Sequence, residues 1–315
     1  MKVEEQVISE NWAVYLGDSV EIMKGIPDNK IHYSIFSPPF SSLYTYSASE
    51  RDIGNCKGEK EFFKHFDFLI KDLFRVIMPG RLVSVHCMEI PAMLERDGYL
   101  GLKDFPGDII RHFEEVGFIY HSRVLIWKDP LIEAVRTRSL GLAHKQLVKD
   151  SSLCKQGSPD YIVTFRKPGN NTERISHGAG FDEYVGGNPL PRLKKTDDPH
   201  TNKHSHIIWQ RYASPVWMDI RQSNTLNFKL ARDKDDERHI CPLQLDVIAR
   251  CLELWSNPND IILSPFMGIG SEGYESIHRG RRFIGIELKK SYFDVAVKNL
   301  KEVGFTKRMK GFFDV

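Results

Sequence analysis

The feature that most constrains the fold is a short apolar strand that runs into a glycine-rich turn late in the chain. The strand is Ile261-Ile262-Leu263, and the turn reads Ser264-Pro265-Phe266-Met267-Gly268-Ile269-Gly270. A helix beginning near Ser271 and a further strand ending at Glu287 follow it. This order predicts a βαβ unit that holds a nucleoside, with the carboxylate on the ribose hydroxyls. Gly273 falls inside the helix start, which counts against a nicotinamide cofactor and leaves another adenosine-bearing ligand open.

A second apolar strand ends abruptly near the start of the chain. His32-Tyr33-Ser34-Ile35-Phe36 runs into Ser37-Pro38-Pro39-Phe40. A proline pair lacks backbone N–H groups and by itself stops a strand, so termination alone could explain the pattern. The alternative is a reaction site, because ligands bind at the carboxyl ends of strands in an open α/β sheet. Such a site would present a hydroxyl, a rigid carbonyl and an aromatic ring to a flat molecule that carries an amino group.

Apolar periodicity predicts alternating strands and helices over most of the remaining chain. We expect strands at 12–16, 82–87, 122–127 and 161–165, and helices at 61–77 (stopped by Pro79-Gly80), 104–116, 243–255 and about 290–301. The last two of these strands are close enough in sequence to pair antiparallel. The alternation predicts an α/β fold with a mostly parallel sheet and helices on both faces. The large aromatic residues Trp209, Tyr212 and Trp217 are expected in a core.

Composition excludes several classes of protein. No stretch of the 315 residues approaches a membrane span, and the first residues lack a signal peptide's apolar region, so we expect a cytoplasmic protein. The five cysteines are scattered without a C-x-x-C pair, which argues against a zinc site and a disulfide framework. The net charge of +2 conceals a basic excess between residues 121 and 240. That excess is typical of a segment that faces phosphate, although a solvated surface is the rival interpretation.

The two strand-end motifs together resemble the amino-methylating DNA methyltransferases. That family modifies cytosine N4 or adenine N6 with S-adenosylmethionine, and carries (S/N/D)-P-P-(Y/F/W) and a motif close to D-P-F-x-G-x-G. The order here, with the catalytic motif first and the cofactor motif last, is similar to the circularly permuted beta group. The resemblance implies a Rossmann-like, seven-stranded type of methyltransferase sheet, circularly permuted, with an inserted target-recognition region. Ser264 and Cys241 depart from the family pattern, which usually has Asp and Pro there.

The resemblance also implies a division of the chain. Residues 1–166 would form the catalytic part, including a basic excursion at 129–158, residues 167–237 the target-recognition region, and residues 238–315 the cofactor-binding part. The partner would be double-stranded DNA. A homodimer is left open, and a restriction partner is unknown.

Individual residues take roles from the matching motifs. The catalytic set is Ser37, Pro38, Pro39 and Phe40. The S-adenosylmethionine set is Asp18, His239, Pro242, Ser264, Pro265, Phe266, Gly268, Gly270 and Glu287. The candidate DNA-binding set is Tyr44, Tyr46, Arg136, Arg138, His144 and Lys145. No metal is expected, because His200, His204 and His206 lack neighbouring ligand residues at suitable spacing.

These residues suggest a mechanism that agrees with the family's. The Ser37 hydroxyl and the Pro38 carbonyl would accept hydrogen bonds from the target amine, and Phe40 would stack on a flipped base. Serine in the first motif favours cytosine N4, since adenine enzymes of this permuted kind more often carry Asp there. Adenine N6 is the alternative. A second alternative is an RNA methyltransferase, or a nucleic-acid-binding module that has the same fold but no catalytic activity.

Overall fold

The computed structural model describes residues 3–39, 59–92, 94–137, 141–227 and 242–313. In this part of the chain the strands are β1 (Glu5–Ile8), β2 (Trp12–Leu16), β3 (Ile31–Phe36), β4 (Ile77–Met88), β5 (Ile90–Ala92), β6 (Gly101–Lys103), β7 (Ile119–Ile126), β8 (Asp160–Arg166), β9 (Val216–Trp217), β10 (Ile261–Ser264) and β11 (Arg282–Glu287). The helices are α1 (Ser19–Met23), α2 (Glu59–Val76), α3 (Leu94–Asp97), α4 (Phe105–Val116), α5 (Pro130–Thr137), α6 (His144–Lys149), α7 (Lys203–Tyr212), α8 (Leu245–Trp255), α9 (Ser271–His278) and α10 (Lys290–Phe313).

One large sheet organises the molecule, with the strand order β1-β2-β11-β10-β3-β4-β8-β7-β9. The strands β2, β11, β10, β3 and β4 pair parallel with one another. Strand β8 runs antiparallel between β4 and β7, so β7 has the same direction as β4. The predicted mostly parallel sheet and the predicted antiparallel pairing of 161–165 with 122–127 are confirmed.

Helices cover both faces of this sheet. On one face α8, α9 and α10 pack their apolar side chains, such as Val247 and Phe293, against Tyr33 and Ile262. On the other face α1, α2 and α4 pack against a second core cluster that includes Phe36 and Val85. The large fully buried side chains of β3 therefore contribute to both cores, as expected of a strand buried on both sides.

Helix α2 ends earlier than the sequence predicts. It stops at Val76, and β4 begins at the next residue, with Pro79-Gly80 inside the strand instead of at the helix end. The register of the β3–β4 pairing shifts between Ile31, which pairs with Ile77, and Tyr33, which pairs with Leu82. Pro79 and Gly80 lie between these two partners on β4 and are therefore in a bulge. A bulge tolerates a proline and a glycine at positive φ, and the φ of Gly80 is 75°. Tertiary pairing has overridden the helical periodicity here.

The irregular middle of the chain joins the main sheet. Strand β9 pairs parallel with β7, and Trp217 is fully buried in the same core cluster as α8. Tyr212 is buried as well, whereas Trp209 is 55% exposed, so its expected core position is wrong. Sequence reasoning also missed β1 at the sheet edge and the small β5–β6 pair. Among the described helices, none is both long and apolar enough to cross a bilayer.

Gly273 allows α9 to pack closely against its neighbours. A Cβ built there would lie 2.6 Å from Phe283 of β11 and 2.8 Å from Leu300 of α10. Close helix–strand packing is the role of the third glycine in nucleotide-binding βαβ units. The sequence interpretation assigned Gly273 no role, and its packing becomes visible only once β11 and α10 are in place.

We predict opposite effects for two glycine-to-alanine changes. Gly273→Ala should destabilise the protein by about 1 to 3 kcal/mol, because the added methyl forces the packed side chains apart. Gly304→Ala is the matched control, since a Cβ at this position of α10 meets no heavy atom within 4 Å. It should stabilise by up to about 1 kcal/mol through helix propensity. Urea unfolding midpoints measure both, and equal shifts in the two variants would contradict the packing role.

Candidate active site

Four neighbouring strand ends bring the sequence motifs to one edge of the sheet. Strands β2, β11, β10 and β3 lie side by side and parallel, so their carboxyl ends share that edge. The Gly17 N–H donates to the Glu287 carbonyl at 2.9 Å, and the Ser19 hydroxyl donates to the Pro265 carbonyl. The rings of Phe36 and Phe266 lie 5.8 Å apart, which joins the first motif to the glycine turn. Residues from both ends of the chain thus form one site.

The glycine turn is held by the carboxylate of Glu287, the last residue of β11. The backbone N–H of Gly268 donates to Glu287 Oε2 at 2.9 Å, and that of Lys289 donates to Oε1 at 2.9 Å. Both glycines of the turn have positive φ, 51° at Gly268 and 87° at Gly270, which favours glycine over any residue with a Cβ. A Cβ on Gly268 would meet no heavy atom within 4 Å, whereas one on Gly270 would press on Ala296. Gly268 therefore lines open space in front of an oriented carboxylate.

Ser264 fits a polar ligand group at this turn. It ends β10, is fully buried, and its Oγ has no hydrogen-bond partner among the described residues. A buried hydroxyl usually has a partner, so this atom is available to a ligand. The open cradle at Gly268, the carboxylate of Glu287 and this hydroxyl together match the needs of a nucleoside cofactor.

Asp18 has a structural task in addition to its predicted one. Its Oδ1 accepts hydrogen bonds from the N–H groups of Val20 and Glu21 at 2.9 and 3.3 Å, and so caps α1. Aspartate is one of the preferred residues at a helix N-cap. The predicted contact of Asp18 with an adenine stays a prediction.

The first motif leaves β3 at the same edge as the glycine turn. The strand ends at Phe36, and Ser37, Pro38 and Pro39 follow without regular structure. Ser37 Oγ lies 3.1 Å from Nδ1 of His86, a residue near the end of β4. Phe40, Tyr44 and Tyr46 lie outside the described residues, as does His239. Pro242 precedes α8, and its cofactor role stays a prediction.

Sequence reasoning missed three residues that extend this site. Nε2 of His86 lies 3.1 Å from Asp160 Oδ2, and Nζ of Lys128 lies 2.6 Å from Asp160 Oδ1. His86 and Asp160 are 8% and 2% exposed. The signal that could have found them is the predicted antiparallel pairing, because β8 begins with Asp160 at the edge where β4 and β7 end.

Asp160 keeps its negative charge in spite of its burial. Burial alone would raise the pKa of this carboxyl group, but the Lys128 ammonium and His86 outweigh it and lower the pKa to about 2. Opposite charge at short range favours the ionised form of an acid. Asp160 is therefore an anion at neutral pH, placed behind the imidazole that contacts Ser37.

The basic excursion starts and ends at this same edge. It leaves β7 after Ile126 and returns at Asp160, and it contains α5 and α6. His144 and Lys145 lie exposed at the start of α6. The side chain of Arg136 and the whole of Arg138 lie outside the described part. Topology therefore places the backbone of this excursion at the edge of the sheet that carries the two sequence motifs, whereas contacts of its basic side chains with DNA stay predictions.

One histidine and two acidic residues lie close enough together to suggest a metal site, but hydrogen bonds and an ion pair account for their positions. His32, Glu173 and Asp260 lie together near the opposite edge, where β3 and β10 begin. Nδ1 of His32 accepts from the Ile261 N–H, so Nε2 carries the hydrogen that faces Glu173 Oε2 at 3.1 Å. Asp260 is paired with the buried Arg81 at 3.0 Å. Farther along the chain, His204 and His206 each place Nε2 3.0 Å from a backbone carbonyl.

Comparison with known proteins assigns the chain to a family. A sequence profile for N6/N4 enzymes, described as DNA methylase, matches residues 31–298. The chain belongs to this amino-methylating DNA methyltransferase family. The type II methyltransferase M1.MboII of Moraxella bovis is 40% identical over 213 residues, which cover 64% of this chain and 72% of that methyltransferase.

Solved structures share the fold of this DNA methyltransferase. TTHA0409 of Thermus thermophilus, in complex with S-adenosyl-L-methionine, is 18% identical with a TM-score of 0.62, covering 93% of this chain and 96% of its own. The PvuII DNA methyltransferase, described as cytosine-N4-specific, is 16% identical with a TM-score of 0.60. The match covers 96% of this chain and 95% of the PvuII enzyme. The predicted family and the predicted α/β methyltransferase sheet are confirmed.

A buried acid lies behind the glycine turn of this DNA methyltransferase. Glu272 in the first turn of α9 is 3% exposed, and its Oε2 has no hydrogen-bond partner among the described residues. Burial raises the pKa of Glu272 to about 8, and the negative Glu287 adds to the rise. Glu272 is therefore protonated in the folded state at neutral pH and ionised in the unfolded state.

We predict that Glu272 makes the stability of the protein fall as pH rises. Between about pH 4.5 and 8 the folded state binds one more proton at this residue than the unfolded state, so alkali favours unfolding. Glu272→Gln should remove this component and raise Tm at pH 9 by at least about 3 °C, with little effect at pH 5. The exposed Glu115→Gln is the control. Thermal unfolding across pH measures the effect, and parallel curves for wild type and Glu272→Gln would exclude it.

Proposed function

We propose that this DNA methyltransferase moves a methyl group from S-adenosylmethionine to the exocyclic N4 of a cytosine flipped out of duplex DNA. The observation that carries the proposal is the parallel pairing of β3 with β10, in the register Ser34 with Leu263. It sets Ser37 and Pro38 beside the glycine turn at one sheet edge. An amine acceptor and a methyl donor held at these two strand ends would be adjacent.

The first motif would make the lone pair of an aromatic amine available for attack on the methyl group. The nitrogen lone pair of cytosine N4 is delocalised into the ring. Hydrogen bonds from the amine to the Ser37 hydroxyl oxygen and the Pro38 carbonyl would favour a pyramidal nitrogen whose lone pair points out of the ring plane. Positioning of this kind can lower a barrier by up to about 7 to 11 kcal/mol, and it needs no covalent intermediate.

The glycine turn and its carboxylate are assigned to the cofactor, which supplies a methyl group on a positively charged sulfur. Glu287, oriented by two backbone amides, would accept hydrogen bonds from the ribose hydroxyls. Gly268 would let the backbone approach the nucleoside, and Ser264 would bond a polar group of the ligand. Asp18, Pro265, Phe266, Gly270, His239 and Pro242 complete the proposed set. The presence of S-adenosyl-L-methionine in TTHA0409, a protein of the same fold, supports this assignment.

Duplex DNA is assigned to the same edge of the sheet. The basic excursion between β7 and β8 would contact phosphates through Arg136, Arg138, His144 and Lys145, and phosphate contacts supply most non-specific affinity for DNA. The target base must leave the helix to reach a strand end. Phe40, with Tyr44 and Tyr46 as weaker candidates, would stack on the flipped base.

The choice of cytosine over adenine depends on Ser37. Adenine enzymes of the permuted group more often carry aspartate at this position, and the PvuII enzyme, with the same fold, is described as cytosine-N4-specific. The experiment is to methylate DNA with the purified protein, digest it to nucleosides and identify the product by mass. N4-methylcytosine is expected. N6-methyladenine would overturn the assignment of the base, and methylated RNA without methylated DNA would overturn the substrate.

Ser37→Ala should separate methyl transfer from cofactor binding. We expect the single-turnover rate to fall by at least about 100-fold, because the amine loses one of its two hydrogen-bond acceptors. The affinity for S-adenosylmethionine, measured by calorimetry, should stay unchanged. Ser9→Ala is the matched control, since Ser9 precedes β2 at the opposite end of the parallel strands. A Ser37→Ala enzyme with the wild-type rate would remove this hydroxyl from the mechanism.

Glu287→Gln should give the reverse pattern. Hydrogen bonds to a charged acceptor are worth about 1.5 to 3 kcal/mol, so we expect the Kd for S-adenosylmethionine to rise about 10- to 100-fold. At saturating cofactor the single-turnover rate should recover towards the wild-type value. Calorimetry and rapid-quench assays measure the two quantities. Unaltered affinity would show that the ribose lies elsewhere.

A further inference from the structure

We infer that His86 is the positioning residue that receives the target amine's proton through the Ser37 hydroxyl. This inference rests on the proposed function. The geometry is a chain of polar contacts: Ser37 Oγ lies 3.1 Å from His86 Nδ1, and His86 Nε2 lies 3.1 Å from Asp160 Oδ2. Lys128 Nζ closes the chain at 2.6 Å from Asp160 Oδ1. These residues come from four separate places, after β3, in β4, after β7 and at the start of β8.

The carboxylate of Asp160 decides which nitrogen of His86 carries the hydrogen. An anion beside Nε2 stabilises the tautomer with hydrogen on Nε2, which leaves a lone pair on Nδ1. That lone pair accepts the Ser37 hydroxyl hydrogen. The hydroxyl hydrogen then points away from the target amine, and the oxygen lone pairs face it. Ser37 is in this way held as an acceptor, the state that the proposed function needs.

Burial and charge fit a proton acceptor. His86 and Asp160 are both buried, and Asp160 stays ionised because of Lys128 and His86. An imidazolium formed on His86 would face this anion directly. A buried ion pair contributes little net stability, and apolar side chains of similar volume often pack as well. This buried network lies at the end of β4 and contacts the reacting hydroxyl, and its desolvation costs free energy. A role in the reaction therefore explains it better than a role in stability.

The proton transfer can be written with its atoms balanced. A bond forms between the amine nitrogen and the methyl carbon, while the bond from that carbon to sulfur breaks and its electron pair stays on sulfur. The nitrogen then carries a positive charge and one hydrogen too many. It passes a proton to Ser37 Oγ as the original hydroxyl proton of Ser37 moves to His86 Nδ1. His86 ends as an imidazolium beside Asp160, and the methylated amine is neutral.

Two amide substitutions distinguish proton acceptance from hydroxyl orientation. His86→Asn places an amide oxygen near the position of Nδ1, so it can still accept from Ser37 but cannot take a proton. His86→Gln reaches towards the position of Nε2, so it can still bond Asp160 but not Ser37. In both variants Asp160 keeps Lys128 as a partner, which limits the loss of stability. Thermal unfolding checks that both variants fold.

We expect the single-turnover rate to fall about 10²- to 10⁴-fold in both variants, the range typical of a lost proton acceptor. The Kd values for S-adenosylmethionine and DNA should stay within about threefold of wild type, a separation that a merely structural role would not produce. A wild-type rate in His86→Asn would overturn proton acceptance by His86. A loss of affinity for S-adenosylmethionine or DNA as large as the fall in single-turnover rate would also overturn it. If the wild-type protein itself transfers no methyl group to DNA, the proposed function fails, and this inference fails with it.

Discussion

Parallel pairing of β10 with β3 is the constraint on which the site depends. The two strands are far apart in sequence, and the Ser34 hydroxyl donates to the Leu263 carbonyl across 229 positions. Because parallel strands end at the same edge, this one pairing brings the Ser-Pro-Pro segment beside the glycine turn. The helices on both faces then bury the strands completely, so the strand ends are the places left for a ligand.

Charge is buried at both ends of the sheet, but the two networks differ in what they touch. At the amino end Arg81 of β4 pairs with Asp260, which also accepts a hydrogen bond from the Asn257 N–H in the turn before β10. At the carboxyl end Asp160 pairs with Lys128 and His86, and His86 in turn contacts the Ser37 hydroxyl at the proposed reaction site. The low dielectric of the interior strengthens both networks, and only the second faces the proposed substrate.

Three glycines in the glycine turn and the helix that follows it have different roles. Gly268 faces open space, Gly270 takes a left-handed backbone, and Gly273 lets α9 lie against β11. Glu287 links the turn to the neighbouring strand through a backbone amide. The backbone N–H groups of Gly268 and Lys289 orient the Glu287 carboxylate without a ligand, so this proposed cofactor contact is preorganised. Such preorganisation lowers the entropic cost of binding.

The sequence by itself determined where the two motif-bearing strands end, the glycine turn, the acid at the end of β11 and the family. These features depend on local chemistry. Proline lacks an N–H, glycine permits positive φ, and the spacing of apolar residues differs between helices and strands. Only the tertiary structure decided that His86, Asp160 and Lys128 meet behind Ser37, and that Glu272 is buried. Their side chains carry no local pattern, because the contacts form between strands that pair over long stretches of chain. The end of α2 was mispredicted for the same reason, as pairing with β3 outweighed helical periodicity.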